Sequence, residues 1–283
     1  LDIADFEKIF DKIIPHIQSG TEITIEANPS SWSFEKATAL LDMGANRLSL
    51  GMQSLSDEKL NFLSRVHDAK SAISAYEASQ KAGFSNISVD FMYDTPFDDK
   101  KFLERELSDF LVLDATHISA YSLTIEENTP FKRNGVQTRY DADAAATVAK
   151  SLTAAGYEHY EVASFGKKRS KHNFGYWEYD PYIGVGAGAV GFDGRRRYYP
   201  HKAIESYIKN PLFSEVEELS NEDIKTEKIL LGLRSAVGVD ISLIVGRQKE
   251  AEMLLQNKLL KTDGKRVYST DLFLADELAV RLS

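Results

Sequence analysis

Four short stretches alternate polar and aliphatic positions: Thr21–Ala27 (TEITIEA), Arg47–Gln53 (RLSLGMQ), Asn86–Tyr93 (NISVDFMY) and His117–Leu123 (HISAYSL). Successive strand side chains point to opposite faces, so each stretch predicts a strand with one polar and one apolar face. Glu22, Thr24 and Glu26 oppose Ile23 and Ile25, and Arg47, Ser49, Gly51 and Gln53 oppose Leu48, Leu50 and Met52. Ser88 and Asp90 oppose Val89 and Phe91, and His117, Ser119 and Tyr121 oppose Ile118 and Ala120. Helical patterns separate the four, so each apolar face has a helix to bury it. The polar faces then line one interior. This predicts an α/β fold, a partial parallel (β/α) barrel with its chemistry at the C-terminal strand ends.

The helical patterns cover residues 2–18, Phe34–Met43, Ser56–Leu63, Ala69–Ala82 and Lys100–Leu111. Beyond them Ala142–Ala155 reads as a helix and Tyr157–Phe165 as a further strand. Residues 166–200, rich in glycine and aromatics, read as ligand-covering loops. Glu222–Ser235, Ile241–Ile244 and Glu250–Asn257 read as helices, with a small β-wing at Leu259–Leu260 and Lys265–Tyr268. Three segments are expected: a barrel core over 1–140, a barrel extension over 141–220 and a small winged-helix-like appendage over 221–283. Four or five strands do not close a barrel, which leaves the first strand as an open edge. The expectation is that N-terminal βα units lie outside this sequence; pairing with a partner strand is the alternative.

Composition changes the picture in two places. The 283 residues carry a net charge of -9, which argues against nonspecific binding to nucleic acid or anionic membrane. Lys167–Lys171 and Arg195–Arg197 are local basic runs that a solvated loop also explains. No apolar run reaches the ~18 residues of a membrane span, and no signal peptide is evident. The chain has no cysteine, so it offers no disulfide, thiolate metal site or cysteine nucleophile.

The candidate site set is Glu26, Gln53, Asp90 and Tyr121 at the strand ends, joined by Arg65. Carboxylates can hold a ribose hydroxyl or an ammonium group, an amide can read a polar edge, and arginine can clamp a carboxylate. Together they suit a zwitterionic, sugar-bearing ligand; mutual satisfaction inside a structural barrel is the alternative. Gly186, Gly188 and Gly191 form a literal G-x-G-x-x-G, weak as a dinucleotide signature because no clear helix or spaced acid follows. His172 sits with Phe174, Tyr176 and Trp177 in a glycine-bearing stretch, which suits a flat aromatic ligand and an axial iron ligand. A structural histidine is the alternative. No H-E-x-x-H, no G-x-S-x-G and no strand lysine suited to a Schiff base occurs.

These residues resemble the radical-SAM group around oxygen-independent coproporphyrinogen III oxidase, nearest its HemW-type heme-chaperone branch. The resemblance runs in order through Ile25–Pro29, Asn46–Ser54, Arg65–His67, Val89–Tyr93, His117–Tyr121, Gly156–Glu158, His172–Trp177 and Gly184–Ala189. It implies a partial six-stranded barrel carrying a [4Fe–4S] cluster and S-adenosylmethionine. It implies Glu26 as an S-adenosylmethionine contact, Gln53, Arg65 and Asp90 as contacts of a second such molecule in the oxidase branch, and Val190 as lining the adenosyl site. It implies His172 in an element associated with heme. The family's C-x-x-x-C-x-x-C loop and Gly-Gly-Gly-Thr-Pro segment have no counterpart here, so the chain looks like a member lacking its first two βα units. Asp94-Thr95-Pro96 stands where the family has Gly-Leu-Pro.

The resemblance implies a cytoplasmic protein that binds heme or porphyrin and passes heme to an acceptor protein. The alternative is the oxidase itself, which decarboxylates two propionates by radical hydrogen abstraction. A non-radical barrel lyase and a DNA-binding winged helix are weaker readings; residues 222–283 mix charges rather than present a basic stripe.

Overall fold

A computed structural model describes residues 1–139 and 142–283, so the expected boundary between residues 140 and 141 lies outside the described residues. The chain divides into two compact units, Leu1–Arg169 and Ser170–Ser283.

The first unit opens with helix α1 (Ile3–Ile13), capped by Asp2, whose side chain accepts from Asp5 N at 2.9 Å. Expected to run to residue 18, it gives way to a short 3₁₀ turn around Pro15, which cannot donate to a helical ladder. The following elements are β1 (Thr24–Ala27), α2 (Phe34–Asp42), β2 (Arg47–Gln53), α3 (Asp57–Phe62), α4 (Ala69–Ala82), β3 (Ile87–Tyr93), α5 (Lys100–Val112) and β4 (His117–Ser122). A single turn, α6 (Pro130–Arg133), precedes α7 (Ala142–Ala154) and strands β5 (Glu158–Glu161) and β6 (Ser164–Gly166). β1 is shorter than the sequence pattern because the side chain of Asn46 takes its first partners. Asn46 Oδ1 accepts from Ile23 N at 2.9 Å, and its Nδ2 donates to Thr21 O at 2.8 Å.

The sheet order is β1-β2-β3-β4-β6-β5, with β1 to β4 parallel and β6 antiparallel to both β4 and β5. Among the described residues β1 and β5 do not pair, so the sheet is an open arc, the partial barrel expected. The single strand expected over Tyr157–Phe165 is instead a hairpin. Glu161 Oε2 accepts from Ala163 N at 3.1 Å and folds the chain back between β5 and β6. Residues 142–169, grouped by pattern with the extension, belong to this first unit.

The apolar faces behave as the alternation requires. Leu48, Leu50, Met52, Val89, Phe91 and Ile118 are fully buried. They share one core with Leu40 of α2, Tyr76 of α4, Phe110 of α5 and Val148 of α7. Each such side chain contributes roughly 1.5–3 kcal/mol. The sheet is thus held from its helical side, which leaves the opposite face to polar groups.

The second unit begins with α8 (Lys171–Trp177), β7 (Gly191–Phe192), β8 (Arg196–Pro200), α9 (Ile204–Lys209) and β9 (Ser214–Glu218). β7, β8 and β9 form an antiparallel sheet. The stretch read as loop over 171–177 is a helix: Ser170 Oγ caps it by accepting from Asn173 N at 3.3 Å. Then come α10 (Asn221–Leu233), β10 (Val239–Asp240), α11 (Gln248–Gln256), β11 (Leu260–Thr262), β12 (Arg266–Ser269) and α12 (Ala275–Leu282). The three helices and the antiparallel sheet β10-β12-β11 close on a core including Ile229, Leu233, Leu254, Val267 and Leu278. That is the winged-helix arrangement expected.

Candidate functional site

The polar face of β1 to β4 gathers the expected residues. Register sets Glu26 beside Ser49 and Asp90 beside Ser119. Burial pushes the Asp90 carboxyl up to about 6, and the neighbouring Glu26 carboxylate adds to the rise. A hydrogen bond from Ser119 and the charges of Arg47 and Arg65 oppose it. Tyr121 joins the group: partial burial and then the Asp90 charge raise its phenol, with Glu161 and Glu26 contributing. Glu26, Arg65, Asp90 and Tyr121 therefore share one electrostatic neighbourhood, with Arg47, Ser119 and Glu161 drawn in beside them.

Gln53 lies at the edge of this group. It is buried, and its backbone is left-handed at φ 66°. A Cβ at Gly51 would stand 3.3 Å from Gln53 Nε2 and 3.5 Å from Asn28 Oδ1. The missing side chain thus gives the Gln53 amide room beside the loop that follows β1. The Arg65 loop is fastened to the same strand end, since His67 Nε2 donates to Met52 O at 3.1 Å. Arg65 Nε is buried with no hydrogen-bond partner. So is Nε of Arg47, whose residue is only 3% exposed. Both are donors suited to an acceptor arriving from outside the protein.

Beneath the strand ends a neutral polar chain fills the interior. Ser88 Oγ lies 2.8 Å from His117 Nδ1, and His117 Nε2 lies 2.7 Å from Tyr160 Oη. Burial and then the Arg47 charge push the His117 imidazole down to about 3, so it is uncharged at neutral pH. The sequence alternation put His117, Ser88 and Ser119 on this face, but nothing in it singles out Tyr160, which arrives on the antiparallel hairpin.

The loops above the strands are tied by a buried ionic cluster. Lys59 Nζ lies 2.7 Å from Asp98 Oδ1 and 2.7 Å from Glu106 Oε2, with all three side chains buried. Glu106 also accepts from Ser54 Oγ and from Leu55 N, the latter at 3.1 Å. Asp98 Oδ2 accepts from the backbone and hydroxyl of Thr95, each at 2.7 Å. The loops after β2 and β3 are thus bound to α5. Asp94, where the sequence departs from glycine, is left-handed at φ 63° and accepts from Ser122 Oγ at 2.6 Å.

The remaining two expected residues lie in the second unit. His172 is exposed on α8, with its Nε2 at 2.8 Å from Tyr176 Oη. Val190 is partly buried in the glycine-rich turn before β7. There a Cβ on Gly184 would come within 2.2 Å of Ala189 O, so this glycine serves backbone contact; no helix follows that would make the segment a dinucleotide loop. Among the described residues no group of three His, Asp or Glu side chains is arranged to hold a metal ion, and no helix is long and apolar enough to cross a membrane.

Comparison with known proteins agrees with this architecture. The family model of the radical SAM superfamily matches residues 1–105. The heme chaperone HemW of Lactococcus lactis is 33% identical over 271 residues, covering 88% of this chain and 72% of the relative. HemW of Bacillus subtilis is 35% identical over 233 residues, covering 77% of this chain but 62% of the relative. The mitochondrial radical S-adenosyl methionine domain-containing protein 1 of Bos taurus is 31% identical over 303 residues, covering 94% of this chain and 69% of that protein. Among solved structures, coproporphyrinogen III oxidase (HemN) from Escherichia coli superposes with a TM-score of 0.82 at 15% identity, covering all of this chain and 74% of the oxidase. At that identity the likeness speaks for the fold alone. At 33% identity over 88% of its own length and 72% of the Lactococcus lactis relative, this chain belongs to the HemW family within the radical SAM superfamily.

Proposed function

We propose that this chain is part of a cytoplasmic heme-trafficking protein that binds heme and passes it to an acceptor protein. The observation that carries the reading is α8. It presents His172 at the surface with Tyr176 one turn on, their rings edge to face at 4.8 Å. An imidazole there gives heme iron a directional bond, and the neighbouring ring supplies an aromatic contact. The HemW relatives favour this over oxidative decarboxylation, whose support is a shared fold.

The strand-end residues of the first unit fit S-adenosylmethionine. The Glu26 and Asp90 carboxylates would hold its ammonium and ribose hydroxyls, the buried and unpartnered Arg65 Nε would meet its carboxylate, and Gln53 and Tyr121 would border the base. An iron–sulfur cluster does not fit the residues present, because the chain has no cysteine.

The test is a hemin titration of the wild-type chain and of His172→Ala, followed in the Soret band. The ligand's loss should shift the band and weaken binding by about tenfold or more with the fold intact. An unchanged band and affinity would remove His172 as the ligand. Failure of the wild type to bind hemin would overturn the reading.

A further inference from the structure

The second unit holds a cavity of about 450 Å³ that shares Tyr176 with the His172 helix. Its walls are aromatic and aliphatic: Tyr176, Tyr182, Phe192, Leu230 and Leu231. Tyr176 and Tyr182 meet at 4.7 Å and 87°, and Tyr179 and Phe192 at 4.9 Å and 78°. Such edge-to-face walls suit the flat face of a conjugated ring. The size is that of a small-molecule site.

The polar end of this cavity is already committed. Arg197 Nη2 lies 2.6 Å from Glu227 Oε1, and Arg197 Nη1 lies 3.5 Å from Glu217 Oε2. Tyr179 Oη donates to Glu227 Oε2 at 2.7 Å. Asp180 adds a further carboxylate to the lining. One guanidinium thus serves two carboxylates, and a third lines the cavity. A ligand carboxylate entering here would lose water and find a cation already held by others, with like charges beside it.

We infer that this cavity receives the apolar, vinyl- and methyl-bearing edge of a protoporphyrin and rejects porphyrins with a propionate on every ring. The inference rests on the heme reading and adds selectivity to it. A protoporphyrin seated this way keeps its propionates outside the cavity. Its macrocycle lies against Tyr176, which is hydrogen-bonded to His172. A coproporphyrin presents a propionate at each edge and must push one toward Glu227 in any orientation.

The test uses metal-free protoporphyrin IX and coproporphyrin III, titrated into the full chain and followed by porphyrin fluorescence. Wild type should bind protoporphyrin at least about tenfold more tightly, and Leu231→Trp, which fills the cavity, should erase most of that binding. Glu227→Gln, which releases Arg197 from its closest carboxylate, should raise coproporphyrin affinity about tenfold; this variant keeps the proposal testable should Leu231→Trp misfold. Equal affinities of wild type for the two porphyrins would overturn the selectivity. Protoporphyrin binding unmoved by Leu231→Trp in a folded protein would overturn the cavity assignment. If hemin binds through His172 while protoporphyrin ignores the cavity variants, the inference falls and the heme reading stands. If hemin does not bind but protoporphyrin responds to Leu231→Trp, the heme reading falls and the porphyrin cavity stands.

Discussion

The hydroxyl of Tyr176 stands 2.8 Å from Nε2 of His172. A hydrogen bond and an iron bond through that nitrogen are mutually exclusive. Heme ligation by Nε2 must therefore displace the Tyr176 contact. Tyr176→Phe keeps the ring and removes this competitor, so it should tighten hemin binding by about two- to fivefold, a gain of about 0.5–1 kcal/mol. Weaker binding would mean that the hydroxyl helps to hold the heme.

His117 and Asp90 set opposite pH dependences of stability. His117 is pushed down to about 3 from 6.5, so the unfolded chain binds more protons between those values and stability rises with pH through them. Asp90 is pushed up to about 6 from 3.8, so the native chain binds more protons there and stability falls as pH rises through that window. The histidine window is the wider, and the pair together should lose stability on acidification from pH 6.5 to 4. Asp90→Asn removes the opposing contribution. It should stabilise the protein at pH 7, by at most about 3 kcal/mol, and steepen the acid loss. Urea midpoints at pH 4, 5 and 7 read both effects; a less stable variant at pH 7 would contradict the assignment.

S-adenosylmethionine should bind the isolated chain weakly, because no cysteine is present to hold the iron that its amino and carboxylate groups would chelate. Calorimetry should show little heat. Glu26→Ala and Arg65→Ala should reduce whatever binding remains, each by about 1–2 kcal/mol. Tight binding without iron would show that the strand-end side chains suffice.

Lys59→Met should cost about 3–5 kcal/mol, since it leaves Asp98 and Glu106 buried without their cation. Lys59→Arg should recover part of that loss if the guanidinium fits. Denaturant unfolding at neutral pH measures both, and a loss below about 1 kcal/mol for Lys59→Met would show that water reaches the cluster.

The strand faces were legible because a period of two leaves no ambiguity about which side chains share a side. Glu26, Asp90 and Tyr121 followed from that alternation, and Arg65 from its place after the second strand. Other features had no local signal. Lys59 sits in a six-residue helix among charged and polar neighbours, where a lysine reads as solvent-facing; its burial depends on Asp98 and Glu106, far along the chain. The α8 helix was hidden because seven residues rich in aromatics and glycine show no helical period. The β5–β6 hairpin was hidden because the Glu161 side chain, rather than a glycine or proline, makes its turn.

The Lys59 cluster also constrains how the sequence can change. Loss of Lys59 alone strands two carboxylates, Asp98 and Glu106, in the protein interior. Loss of Asp98 or Glu106 first leaves Lys59 in a one-to-one pair with the carboxylate that remains. The order of change is therefore constrained: one carboxylate can go before the lysine, and the lysine cannot go before the carboxylates. The segment that follows Gln53 and the turn at Thr95, both held by these side chains, share that constraint.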